Sequence, residues 1–187
     1  MKKIVIFASG SGSNAENIYH QLQSKVEVQC IFCNNANAGV IERAKRLNIP
    51  LVLFNKQDWQ NDTHVADQVA SYQPDLIVLA GFLWKVPPTF IERFPNKIIN
   101  IHPSLLPKFG GKGMYGSHVH NAVIEAKETK SGITIHYVNE HYDEGAYIFQ
   151  AECALSASDN ADDLANKIHL LEFEHFPKII EQLLNAN

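Results

Sequence analysis

This sequence predicts an α/β fold, a mostly parallel sheet with helices on both faces. Two observations predict it. Short apolar runs alternate with segments of helical periodicity, the pattern of repeated βαβ units. A glycine turn, Ser9-Gly10-Ser11-Gly12-Ser13, follows the first apolar run and opens the first helical segment. The chain has 187 residues, 45% of them hydrophobic, enough to bury one sizeable core, so one domain over 1–187 is expected.

The elements follow in order. Apolar runs set strands over 3–8, 28–33, 51–54, 75–80 and 97–101, and amphipathic segments set helices over 14–22, 40–47, 63–72, 88–94 and 118–128. Two further strands, 133–138 and 148–153, are joined by a loop over 139–146. That loop, about eight residues, is shorter than a parallel crossover needs, so these two strands should pair antiparallel and complete a seven-stranded mixed sheet. Asp159-Asn160-Ala161-Asp162-Asp163 caps a final helix and puts carboxylates in its first turn. Pro177 should kink or restart that helix. No repeat, low-complexity tract or linker divides the chain.

A net charge of −4 without a clustered basic stripe argues against a nucleic-acid partner and for small molecules. The apolar run after Lys2-Lys3 is too short for a signal peptide, and no stretch is long enough for a bilayer, so a soluble cytoplasmic protein is expected. Three cysteines fit a reducing compartment. Cys30 and Cys33 spell C-x-x-C, but on a strand residues three apart face opposite sides with Cα atoms about 10 Å apart. Buried small hydrophobes are therefore favoured over a redox pair.

The glycine turn matches the dinucleotide fingerprint at Gly10, Gly12 and Ala15, yet Asn34-Asn35 stands where that fingerprint needs a carboxylate for a ribose. A cradle for a single phosphate on backbone N–H groups fits better than a nicotinamide site. A plain strand-to-helix turn is the alternative. In open α/β sheets ligands bind beyond the carboxyl ends of the strands. Gly81, after the fourth strand, and Asn100 and His102, closing the fifth, belong to the same edge. Alternation puts Asn100 and His102 on one face. An amide, an imidazole and a carboxylate such as Asp143 in the last hairpin loop suffice for acyl transfer without metal or covalent nucleophile.

Gly10-Ser11-Gly12-Ser13-Asn14, Leu79-Ala80-Gly81-Phe82, Asn100-Ile101-His102-Pro103-Ser104-Leu105-Leu106-Pro107 and Asp143 before Gly145 resemble the phosphoribosylglycinamide formyltransferase family over essentially the whole chain. The resemblance implies its Rossmann-like fold, and transfer of a formyl group from 10-formyltetrahydrofolate to the amine of 5'-phosphoribosylglycinamide in purine biosynthesis. It implies catalysis by Asn100, His102 and Asp143, with Asp143 raising the pKa of His102. It further implies substrate contacts from Gly12, Ser13, Asn14, Gly81, His169 and Glu172. The folate cleft would be flanked by Leu83, Trp84, Lys85 and Val86, with Asn100 and Lys56 contributing, no metal, and a monomer or homodimer.

The chain departs from the family pattern at three places. Trp84 stands where family members often carry arginine, and 55–64 offers only Lys56 where an arginine is usual. Gly110-Gly111-Lys112-Gly113-Met114-Tyr115-Gly116 is longer and richer in glycine than usual, and a mobile flap over the substrate is expected there. His118-Val-His120 is a weak metal candidate, since helical residues two apart diverge. Among rivals, methionyl-tRNA formyltransferase would need an RNA-binding domain after this one. Formyltetrahydrofolate hydrolase would need a regulatory domain before the first strand. A non-catalytic nucleotide-binding module would leave Asn100, His102 and Asp143 unused.

Overall fold

The computed structural model describes residues 1–60 and 64–186. Its elements are β1 (Lys2–Ala8), α1 (Ser13–Leu22), β2 (Val26–Cys33), α2 (Val40–Arg46), β3 (Leu51–Leu53), α3 (Lys56–Gln60), α4 (His64–Ser71), β4 (Leu76–Leu79), α5 (Pro88–Arg93), β5 (Ile98–His102), α6 (Ser117–Glu125), β6 (Lys130–Tyr137), β7 (Tyr147–Ala154) and α7 (Ala161–Ala186). The expected start of the 63–72 helix at Thr63 lies outside the described residues. Helix α3 was not expected. Asn55 and Asp58 exchange side-chain-to-backbone bonds of 2.9 and 3.0 Å across its first turn, a reciprocal cap that stabilises this short helix.

The seven strands form one sheet in the order β3-β2-β1-β4-β5-β6-β7. β1 to β5 pair in parallel, and β6 pairs antiparallel with both β5 and β7. The last two strands are thus antiparallel as expected, and β6 alone runs against the rest.

Alternation along the strands divides the core in two. Ile4, Ile6, Val78, Ile99 and Ile135 pack with α1, α2, α6 and α7 on one face. Val5, Phe7, Phe32, Ile77 and Ile98 pack with α3, α4 and α5 on the other. Cys33 belongs to the first core and Cys30 to the second, as residues three apart on a strand require. The second core is aromatic: Phe7 stacks on Phe32 at 5.0 Å and meets Trp59, Phe82 and Phe90 at 5.4 to 5.8 Å. Each such buried side chain contributes roughly 1.5–3 kcal/mol by leaving water.

Pro177 does not restart the last helix. α7 runs from Ala161 to Ala186 with Pro177 buried inside it. A proline cannot donate to the carbonyl four residues earlier, here that of Phe173. Two side chains of α1 replace the missing donor: Asn17 Nδ2 reaches Phe173 O at 3.0 Å and Gln21 Nε2 at 3.3 Å. The proline therefore ties α7 to α1.

Candidate active site

The parallel order reverses direction between β1 and β4, and the chain leaves both strands at the same edge. Ser9 binds the two exits together: its N–H donates to Gly81 O and its hydroxyl accepts from Leu83 N, both at 3.0 Å. β5 lies next to β4, so Asn100 and His102 end beside Gly81. Ile98, Asn100 and His102 share one strand face, and Ile99 and Ile101 are buried on the other.

A cavity of about 370 Å³ opens there. Leu83, Trp84, Lys85, Val86, Asn100, His102 and Asp143 line it, together with residues 111–116 and the segment after β6. Lys85 sits 5.8 Å from the Tyr142 ring centre, a cation–π contact at the cavity wall. Trp59 Nε1 donates to Lys85 O at 2.8 Å and so holds the 82–86 segment from below. Lys56 lines a neighbouring cavity with Leu83, Trp84, Lys85, Val86 and Tyr142.

His102, 4% exposed, has both ring nitrogens occupied. Nε2 is 2.8 Å from Phe109 O, which can only accept, so Nε2 carries a proton. Nδ1 faces Asp143 Oδ2 at 3.5 Å. Burial pushes the His102 pKa down, and Asp143 and the Phe109 carbonyl push it up. Burial wins: Asp143 pushes upward as expected, but the net direction is below the ordinary 6.5. For Asp143, burial acts upward, but His136, His102 and the Gly111 N–H outweigh it and hold the carboxyl below its ordinary value. That N–H donates to Oδ2 at 2.9 Å.

His136, which sequence reasoning missed, completes the group. It lies opposite Asn100 on β6, with Nε2 3.1 Å from Asn100 Nδ2 and 3.7 Å from Asp143 Oδ1. Its visibility depends on the β5–β6 pairing, and nothing in its own segment marks it. The segment after His102 is pinned by Thr134, whose hydroxyl donates to Ser104 O at 2.8 Å and accepts from Leu106 N at 3.0 Å. Asp143 has φ 56°, and Gly145 two residues on is irreplaceable: a Cβ there would sit 1.6 Å from Tyr137 O.

A second constellation lies at the glycine loop. Ser13 Oγ is 3.4 Å from His169 Nε2, and Asn14 Nδ2 donates to Glu172 Oε2 at 2.9 Å. Glu172 is 8% exposed, so burial raises its pKa; Asn14 and His169 oppose this without cancelling it. Asn14 Oδ1 is buried without a partner. Gly12, at φ 77°, abuts Val40, whose Cγ2 would lie 2.4 Å from an added Cβ. Gly12, Ser13, Asn14, Gly81, His169 and Glu172 are not among the residues lining the 370 Å³ cavity, although Gly81 leaves β4 beside the end of β5. Asn35, in place of the ribose carboxylate, donates to Ser9 O at 3.2 Å and supports the loop.

Among the described residues no group of three or more His, Cys, Asp or Glu is arranged to hold a metal ion, and no helix is long and apolar enough to cross a membrane. His118 is exposed and His120 buried.

A mostly parallel sheet carrying an amide, two imidazoles and a carboxylate near one end of its strands, beside a glycine loop, has the parts of an acyl-transfer site that works by hydrogen bonding and proton movement. The chain belongs to the formyl transferase family, whose model matches residues 2–180. It is 36% identical over 194 residues to the phosphoribosylglycinamide formyltransferase of Bacillus subtilis, covering 100% of this chain and 97% of that one. It is 37% identical over 182 residues to the chloroplastic phosphoribosylglycinamide formyltransferase of Arabidopsis thaliana, covering 93% of this chain but 62% of that protein. The solved phosphoribosylglycinamide formyltransferase of Bacillus halodurans superposes with a TM-score of 0.89 at 34% identity, over 98% of this chain and 95% of that one.

Proposed function

We propose that this chain transfers the formyl group of 10-formyltetrahydrofolate to the amine of 5'-phosphoribosylglycinamide, giving 5'-phosphoribosyl-N-formylglycinamide and tetrahydrofolate. The observation that carries this reading is the linked set Asn100, His102, His136 and Asp143 on the wall of a cavity whose Leu83 bonds to Ser9 at the start of the glycine loop. The relatives bearing that name support it.

The amine nitrogen attacks the formyl carbon, and the carbonyl oxygen takes up the electron pair as an oxyanion. Asn100 Nδ2 and His102 Nε2 donate to that oxygen, which takes the place of the Phe109 carbonyl. The amine proton passes to water held by His102 and Asp143. Collapse breaks the bond from the formyl carbon to folate N10, which takes a proton. The oxyanion adds a negative charge beside Nε2, favouring the imidazolium that burial opposes.

Gly12, Ser13 and Asn14 hold the phosphate on backbone N–H groups and hydroxyls. Glu172 and His169 face the ribose, and Gly81 approaches the glycinamide arm. Leu83, Trp84, Lys85 and Val86 flank the folate ring, with Lys85 on the cavity wall and Lys56 in the neighbouring cavity as basic groups for the folate tail. The 110–116 segment acts as a flap, since Phe109 must release His102 before the formyl oxygen enters.

The test is to supply 10-formyltetrahydrofolate with and without glycinamide ribonucleotide and follow the formyl group. Loss that requires the amine supports transfer. Loss without it indicates a hydrolase, and no turnover with it sinks the proposal.

A further inference from the structure

We propose that Arg43 is a positioning residue for the phosphate loop, acting on the loop's peptide planes from α2; this rests on the phosphate reading of that loop. Two consecutive carbonyls of the loop are drawn toward α2. Gly10 O accepts from Val40 N at 3.1 Å, and Ser11 O accepts from Arg43 Nε at 2.8 Å. In a trans peptide the N–H of the next residue points opposite to the carbonyl. The Ser11 and Gly12 N–H groups are therefore turned away from α2, side by side. Neither has an intramolecular acceptor among the described residues. Successive N–H groups presented on one side form an anion-binding concavity.

Val40 holds the first plane through the backbone, which any residue supplies. The second is held by a side chain. The Arg43 fork is fixed by Glu16 of α1, which pairs with both Arg43 and Arg46. Gly12 fits against Val40 and Gly39 against Ser11, so α2 and the loop are in contact along this seam. The segment 9–15 contains no lysine or arginine, so its affinity for phosphate depends on the direction of its amides. Loss of the Arg43 bond frees the Ser11–Gly12 peptide to rotate and withdraws one amide from the phosphate.

Position and bulk charge predict opposite results at Glu16. Removing its carboxylate leaves the neighbourhood more positive, which should favour phosphate if charge alone matters. It also unfixes Arg43, which should weaken binding if position matters. Steady-state kinetics with each substrate varied, calorimetry with inorganic phosphate, and thermal melts on wild type, Arg43→Ala, Arg43→Lys and Glu16→Gln separate them. Arg43→Ala is expected to raise the KM for the ribonucleotide about tenfold and to leave kcat and the formyl-donor KM within about twofold. Arg43→Lys should recover part of the loss, and Glu16→Gln should raise the same KM. An unchanged ribonucleotide KM in Arg43→Ala, an equal effect on both substrates, or a lower KM in Glu16→Gln overturns the proposal. Inorganic phosphate bound equally by wild type and Arg43→Ala overturns it alone. A wild type that binds no phosphate overturns the loop assignment and this inference with it.

Discussion

His136 and Asn100 face each other across β6 and β5, with Nε2 of one 3.1 Å from Nδ2 of the other. His136 Nδ1 is 2.8 Å from Tyr137 O, which only accepts, so Nδ1 carries a proton, and in the tautomer protonated there alone Nε2 is open as an acceptor toward Asn100 Nδ2. Nε2 then accepts one of the two Asn100 N–H groups, which fixes the amide orientation and leaves the other N–H for the substrate oxygen. Without this bond the amide is free to flip and present its own oxygen. His136→Ala should therefore lower kcat by about tenfold through Asn100, and adding Asn100→Ala should cost less than in the wild type. A double-mutant cycle on kcat checks this; additive losses would refute it.

Asn100→Ala and His102→Ala should each reduce kcat by about 10²–10³-fold, the loss typical for one oxyanion donor. Phosphate binding, measured by calorimetry, should stay near the wild-type value because the side-chain bonds of Asn100 and His102 go to His136, Phe109 and Asp143, not to the glycine loop. Wild-type turnover in His102→Ala would remove that residue from the mechanism.

The His102 pKa offers a check on the balance of burial against charge. In the free protein it should lie below 6.5, and Asp143→Asn, which removes an upward push, should lower it further. Because the folded value is depressed, the folded state binds fewer protons than the unfolded state between the two pKa values. His102 thus makes stability rise with pH through that window, and the protein loses stability as pH falls below 6.5. Proton resonances of the ring followed across the titration read the value directly. An upward shift in Asp143→Asn would refute the assignment.

Glu172 carries the opposite sign. Its pKa is raised by burial, so the folded state holds its proton longer, and stability falls as pH rises above the ordinary 4.5. Glu172→Gln should therefore raise the melting temperature at neutral pH by a few degrees while raising the ribonucleotide KM about tenfold, a trade of stability for binding. A lower melting temperature, or an unchanged KM, would count against it.

The bond from Asn17 to Phe173 exists because Pro177 leaves that carbonyl open. Asn17→Ala should cost about 1–2 kcal/mol by denaturant melt. The cost should shrink in a Pro177→Ala background, where a backbone donor returns. Equal costs in both backgrounds would show that the bond does not serve the proline.

Periodicity and turn chemistry made most of the fold legible: among the described residues, the seven strands, six of the seven helices and the antiparallel final pair could be expected from the residues alone. Helix α3 was missed because five residues give no periodicity, although the Asn55 and Asp58 spacing was there to read. The behaviour of Pro177 was not legible, since its compensating donors come from a helix about 160 residues away in sequence. In the candidate site, Asn100 and His102 were visible as neighbours on one strand, whereas His136 needs the register of β6 against β5. The net direction of the His102 pKa was not legible for a related reason. The charge of Asp143 can be read from sequence, but the burial that overrides it is a property of the assembled sheet.

The single reversed strand has a consequence for how the chain folds. β6 and β7 are joined by a short connection, so Asp143 arrives on a hairpin of local contacts, while His136 must find Asn100 across 36 residues. Closing the longer loop is the slower and entropically dearer step. A one-residue slip in that pairing would turn His136 and Thr134 to the opposite side and leave Asp143 facing a hydrophobic strand. Regain of activity during refolding should therefore lag behind regain of secondary structure, because the chemistry waits for the most distant pairing in the sheet's second half.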